Sequence, residues 1–181
     1  MTYTRTPTTT ETAITLEAAK LHCRVDGNEE DVPITGLIIA ASNEIEAQAD
    51  IALLSQTITT TTDQGPGNCI RLPVGPVAAD AVATVELIEQ DGTATPITSG
   101  YWLEGGRYPR LHFTTTPGGR LRITYPAGYG DTHEAIPADL AHGIADQVAR
   151  MYDERGGVYD KAPALSPHTA RVIARHRRVA L

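Results

Sequence analysis

One stretch restricts the fold more than any other, residues 120–156, RLRITYPAGYGDTHEAIPADLAHGIADQVARMYDERG. Arg120, Arg122 and Thr124 alternate with Leu121, Ile123 and Tyr125, the period of a strand with one buried face. Pro126 is expected to end that strand. Gly128 and Gly130 allow a bend that side chains would forbid. Pro137 suits a first helical turn, where its missing N–H is not needed. Leu140, Ile144, Val148, Met151 and Tyr152 recur at helical spacing as one apolar stripe. Gly156-Gly157 is expected to stop the helix. The residues before this stretch read as the core it packs on, and those after it read as a separate tail.

The preceding residues supply helices first and strands second. Residues 1–13 are polar and rich in threonine. They are expected to form a mobile or extended arm, or else a strand added to a neighbouring subunit. Thr15 is a plausible cap for a short helix over residues 16–24, with an acidic loop after it at residues 26–31. The loop's spacing is not that of an EF-hand, so it reads as a solvated connection. Ile34, Leu37, Ile38, Ala41, Ile45 and Ala49 then mark a helix from about Pro33 to about Ile51. From Ser55 the pattern is one of short strands. Residues 56–62 are threonine-rich, with Ile58 as the one large aliphatic side chain, and read as a sheet edge or an exposed ribbon. Asp91-Gly92 signals a hairpin. Tyr101-Trp102-Leu103 and Leu111-His112-Phe113 are two further strands. The fold class is therefore α+β: N-terminal helices and one C-terminal helix packed on a small antiparallel β-sheet or barrel, plus a C-terminal tail helix. The expected organisation is an arm over residues 1–13, a body over 14–157, and a linker with a basic helix over 158–181.

Three stretches, in this order, carry a resemblance. The first is Ile14-Thr15-Leu16-Glu17-Ala18-Ala19-Lys20 running to Arg24-Val25-Asp26, then an acidic loop and a helix. The second is Ile70-Arg71-Leu72-Pro73 with Gly75-Pro76-Val77. The third runs from Tyr125-Pro126-Ala127-Gly128-Tyr129-Gly130-Asp131 through Ile136-Pro137-Ala138-Asp139-Leu140 to Met151-Tyr152-Asp153-Glu154-Arg155. Together they resemble the head–tail connector (adaptor) proteins of long-tailed bacteriophages and of phage-derived gene transfer agents, over residues 14–155. Cys23 stands where such sequences usually place leucine, a change of volume in a core position.

The resemblance implies a structural role: a ring of about twelve identical subunits joined head-to-tail by contacts that close on themselves. Such a ring sits beneath the portal protein, extends the DNA channel and docks a downstream neck or tail protein. Genome DNA passes through without specific binding. The particle would be assembled in a reducing, cytoplasmic compartment.

Charge is split along the chain. Residues 1–160 hold ten basic and 22 acidic side chains, a formal −12, whereas residues 161–181 hold five basic and no acidic ones. An acidic body is a poor general nucleic-acid surface and fits a channel wall that repels phosphate. Ser166-Pro167 reads as a helix start. Beyond it Arg171, Arg175 and Arg178 form a basic stripe, and Val172, His176 and Val179, widened by Ile173 and Ala180, form an adjacent apolar one. This tail is the candidate portal-binding element, since the connectors it resembles hold the portal through C-terminal extensions. It is expected to be mobile alone and ordered on docking; the alternative is that it folds back on its own body. Candidate subunit-interface residues are Gln56, Ile58, Thr60, Tyr101 and Trp102. Trp102 could instead stack on a base or sugar.

The sequence offers little to chemistry. His22, His112, His133, His142, His168 and His176 show no HExxH pattern and no zinc spacing. Asp139 and His142 read as a surface pair. No phosphate loop or nucleophile elbow is present. Catalytic residues, metal and cofactors are therefore all expected to be none. Cys23 and Cys69 read as unpaired thiols. The first residues lack an apolar run, so no secretory leader is expected, and no stretch is long and apolar enough for a membrane span. The alternative function is a nucleic-acid-binding accessory protein acting through the basic tail; a small enzyme with dispersed residues ranks third.

Overall fold

The computed structural model describes residues 2–62, 67–155 and 165–177. It divides into two units. One comprises the residues up to Thr9 with Ser55–Tyr129, and the other comprises Thr10–Leu54 with the residues from Gly130 onward. Among the described residues the first unit holds every strand: β1 (Thr2–Pro7), β2 (Gln56–Thr62), β3 (Cys69–Arg71), β4 (Thr84–Ile88), β5 (Ala94–Ile97), β6 (Tyr101–Glu104), β7 (Arg110–Phe113) and β8 (Arg120–Ala127). The second holds α1 (Leu16–Cys23), α2 (Asp31–Ala49), a 3₁₀ turn (His133–Ala135), α3 (Ala138–Asp153) and α4 (Pro167–His176). The class is α+β, as expected. The strands form two antiparallel sheets, ordered β1-β2-β8-β4-β5 and β3-β7-β6, and no closed barrel exists among the described residues.

The larger sheet is centred on β8. Its register places Ile123 opposite both Thr60 of β2 and Val85 of β4. Leu121, Ile123, Tyr125 and Ala127 are buried, while Arg120 and Pro126 are exposed. The strand continues one residue past Pro126 instead of stopping there. Pairing with β4 has ended by Thr124, so Pro126 lies where β8 pairs with β2 alone and one side of its backbone has no neighbouring strand to donate to. Tyr125 secures the loop after β3: its hydroxyl accepts from the Val74 N–H and donates to the Val74 carbonyl, each at 3.1 Å.

The threonine-rich ribbon is not an edge. β2 lies between β1 and β8, and Gln56, Ile58 and Thr60 are buried. Threonine suits a pleated surface, and here its hydroxyls find partners. Thr59 Oγ1 meets Thr124 Oγ1 at 3.2 Å, and Thr60 Oγ1 donates to the Thr2 carbonyl at 3.1 Å. Residues 2–7, within the segment expected as an arm, form β1 along all but the last residue of β2, from Thr2 opposite Thr61 to Pro7 opposite Gln56.

In the helical unit, α1 begins where its cap was expected, with Thr15 Oγ1 accepting from the Ala18 N–H at 3.1 Å. Arg24 ends it in the left-handed region at φ 60°. α2 starts two residues before Pro33, which falls in its first turn, and buries Ile34, Ile38, Ala41, Ile45 and Ala49 on one side. Lys20 of α1 is paired with Asp31 at the start of α2 at 2.7 Å. α3 buries Leu140, Ile144 and Val148, the stripe read from the sequence. At the far end of α3, Tyr152 hydrogen-bonds Glu30, the residue before α2, and Arg155 donates to the same carboxylate at 2.9 Å. These two hydrogen bonds hold Glu30 below the usual carboxylate range, with Tyr152 the larger cause.

Candidate functional site

The two sets of residues singled out by the sequence lie in different units, α4 in the helical one and Tyr101 with Trp102 in the β one.

α4 does not stand off as a tail, because a polar latch and an apolar contact join it to α3. Ser166 caps the helix, its Oγ accepting from the Thr169 N–H at 3.0 Å. The Ser166 N–H donates to Gln147 Oε1 at 2.9 Å, and Ser166 Oγ also hydrogen-bonds Asp146. Thr169 Oγ1 donates to the Gly143 carbonyl at 2.8 Å. Gln147 in turn donates to Glu44 of α2 at 3.1 Å. Ser166, Thr169 and Gln147 are all buried. A buried hydroxyl or amide is costly unless paired, and the partners of these three lie on a different helix from α4 or at its cap, so the helix is fixed in place. Val172 and Ile173 are buried beside them, Val172 lying against Gly143.

Asp139 holds the other end of α4. Its carboxylate accepts from His176 Nε2 at 2.9 Å and lies 3.8 Å from the Arg175 guanidinium. Burial pushes this carboxyl up. The His176 hydrogen bond and charge, the Leu140 N–H and Arg175 outweigh burial and hold it below the ordinary value. The sequence-level pairing of Asp139 with His142 is thus replaced by one spanning 37 residues. The His142 ring instead meets the edges or faces of His22 and His168, at centroid distances of 5.5 and 4.8 Å.

Of the tail residues singled out, Val172, Ile173 and His176 face their own chain, while Arg171 and Arg175 are exposed along the outer side. Arg178 and Val179, like the Gly156-Gly157 stop, lie outside the described residues. Asp146 and Gln147, which hold the start of α4, were not singled out from the sequence, and Asp139 was assigned a different partner. Nothing local to residues 139–147 marks them as a receptor for a helix that begins some 20 residues later.

The β3-β7-β6 sheet has two unlike faces. Leu111, Phe113 and Ile70 are buried on one. Tyr101 leans the same way, its ring 6.2 Å from Phe113 and its hydroxyl donating to the Ala83 carbonyl at 3.1 Å. The other face carries two cross-strand rows: Cys69, His112 and Trp102, then Arg71, Arg110 and Glu104. Trp102 is 56% exposed and lies flat on the His112 ring, with centroids 4.8 Å apart and planes 7° apart. His112 Nε2 meets Glu104 Oε2 at 2.7 Å, which lowers the Glu104 carboxyl from its ordinary value. The indole is thus held in one orientation with one broad surface to solvent. Of the five interface candidates only Trp102 offers a large exposed surface. Both cysteines are free, and partial burial raises the Cys23 thiol.

No group of histidine, cysteine and carboxylate side chains suited to a metal occurs among the described residues. Residues 13–89 match the phage gp6-like head-tail connector protein family. The resemblance to head–tail connectors holds. No curated protein matches the chain. Among solved structures, a chain of the neck of an empty gene transfer agent (GTA) particle, computed with C6 symmetry, is 27% identical with a TM-score of 0.83. A chain of the virion of a native GTA particle is 26% identical with a TM-score of 0.81. A third, from the neck of a native GTA particle computed with C12 symmetry, is 26% identical at 0.76. In all three the match covers 100% of this connector-like chain and 97% of the other.

Proposed function

We propose that this protein is a structural adaptor in the neck of a phage or phage-like particle. It forms a ring of about twelve copies under the portal, whose closed head-to-tail contacts continue the DNA channel. The observation that carries this reading is the end-to-end match to neck chains of GTA particles, over both units and nearly the whole of each counterpart. Its work is assembly: one surface for the portal, one for the next neck or tail protein, and two for neighbouring copies. An acidic body that repels phosphate suits a wall past which DNA moves without being held.

Within this reading α4 meets the portal as a fixed part of the helical unit. Val172, Ile173 and His176 seat the helix, and Arg171 and Arg175 present its basic edge, continued in sequence by Arg177 and Arg178. Trp102 is the anchor offered to a neighbouring copy or to the tail side, since interface hot spots are enriched in tryptophan and this one is exposed. The test is co-sedimentation of the full chain with purified portal protein. Reversing both exposed charges, Arg171→Glu with Arg175→Glu, is expected to weaken binding at least tenfold while duplex DNA binding stays negligible in parent and variant. Unchanged portal binding by the double variant refutes the role of α4. Tight, salt-dependent DNA binding without portal binding favours the nucleic-acid accessory reading instead.

A further inference from the structure

Resting on the neck-ring reading, we propose that the outward side of α2 is the surface on which the next copy of this chain docks. α2 is apolar on two opposite sides. One side buries Ile34, Ile38, Ala41, Ile45 and Ala49, with α1, α3 and α4 packed around the helix. The other presents Val32, Gly36, Ile39, Ala40, Asn43 and Ala47, all exposed. At 3.6 residues per turn these six fall within about 100° of arc. Val32 is 84% and Ile39 50% exposed. A surface helix normally turns charge to water, whereas α2 turns an uncharged, largely apolar side to solvent opposite its buried one. α3 and α4 show the ordinary arrangement, with Asp153, Arg171 and Arg175 outermost.

Charge selects the occupant. The exposed residues of α2 from Val32 to Gln48 include no ionisable side chain: Glu44 is turned to Gln147, and Glu46 is buried with its carboxylate on the Leu53 N–H. Two copies of a chain with net charge −7 repel one another. A lasting contact between them forms best through a surface free of charge, whereas a basic partner would choose the acidic parts of the body. Gly36 points the same way. Glycine weakens a helix interior, and a Cβ placed on Gly36 would meet nothing within 4 Å. The chain's own packing does not require this glycine. A glycine here leaves room for another backbone to approach closely.

The experiment uses the full-length chain and two variants, Gly36→Gln and Ile39→Glu. Each is followed by thermal melting, by sedimentation velocity alone, and by electron microscopy of rings formed on purified portal. Both variants are expected to melt within a few degrees of the parent, Gly36→Gln at or above it, and both to lose ring formation, with copy–copy association weakened at least tenfold. Rings formed by the variants as readily as by the parent overturn the proposal and leave the neck reading standing. Loss of portal binding with copy–copy association intact assigns the face to the portal and also overturns it. A parent chain that forms no ring, alone or on the portal, overturns the neck-ring reading and this proposal with it.

Discussion

Val172→Ala distinguishes a seated helix from a tail. Val172 is 1% exposed and lies over Gly143. The substitution removes two methyl carbons from a closed contact, a transfer loss of about 0.8 kcal/mol each. The space left behind adds a few tenths to one kcal/mol, because α3 and α4 are tied by the Ser166 and Thr169 hydrogen bonds and cannot close fully over it. The expected destabilisation is therefore about 2 kcal/mol. For a chain of this length each kcal/mol shifts Tm by about 2–4 °C, giving a fall of about 4–8 °C. Thermal unfolding followed by far-ultraviolet circular dichroism measures it, with exposed Arg171→Ala, expected within about 0.5 kcal/mol of the parent, as the reference. Truncation after position 157 removes the whole latch and should cost more than Val172→Ala alone. A Tm unchanged to within a degree in Val172→Ala and in the truncated chain would refute the packing argument and restore α4 as an independent appendage.

Two further outcomes are expected from the same geometry. The Asp139 carboxyl is held below its ordinary value when folded, so its contribution is present above the unfolded value near pH 4 and is lost as pH falls through the folded one; Asp139→Asn should thus be less stable than the parent at pH 6–7, with the gap closing below about pH 4, as urea titrations at a series of pH values would show. Trp102 is the one tryptophan in the chain, so its emission reports the outer face of the β3-β7-β6 sheet directly; it should shift to the blue when the protein joins the neck, and Trp102→Ala should weaken assembly while leaving the isolated Tm within a few degrees, whereas emission unchanged on assembly would remove Trp102 from the interface.

How much was legible in the sequence depended on how local its cause was. The alternation from Arg120 to Tyr125 set the buried face of β8, because strand period and burial are both read within a few residues. Thr15 and Ser166 were readable as caps because a cap acts on the next three residues. The α3 stripe was visible for the same reason. β2 was not: Gln56–Thr62 has polar side chains on both faces, so nothing in its pattern distinguishes a central strand from an edge. Its place is decided by β1, about 50 residues earlier, and by β8, over 60 residues later. The seat of α4 was hidden in the same way. Ser166 and Val172 announce a helix with an apolar side, but whether that side meets another protein or Gly143, Asp146 and Gln147 of the same chain is settled only by tertiary structure. Trp102 was conspicuous because the chain has few aromatics, while its stacking partner His112 was fixed by the β6–β7 register, which the two short strand signals did not specify.

The division of the chain between its two units also governs how the protein is made. Each unit is closed by a segment that arrives late: the β sheet waits for β8, and the helical unit waits for α3 and α4. The polypeptide passes from one unit to the other three times, after Thr9, Leu54 and Tyr129. On a ribosome delivering roughly 5–20 residues per second, the β unit has all its residues once Tyr129 is made, whereas the helical unit must wait for the last part of the chain, and pairings of such long sequence separation form slowly. The exposed apolar side of α2 is therefore translated well before the strands and helices that finish the molecule. No single cut releases either unit as a continuous piece.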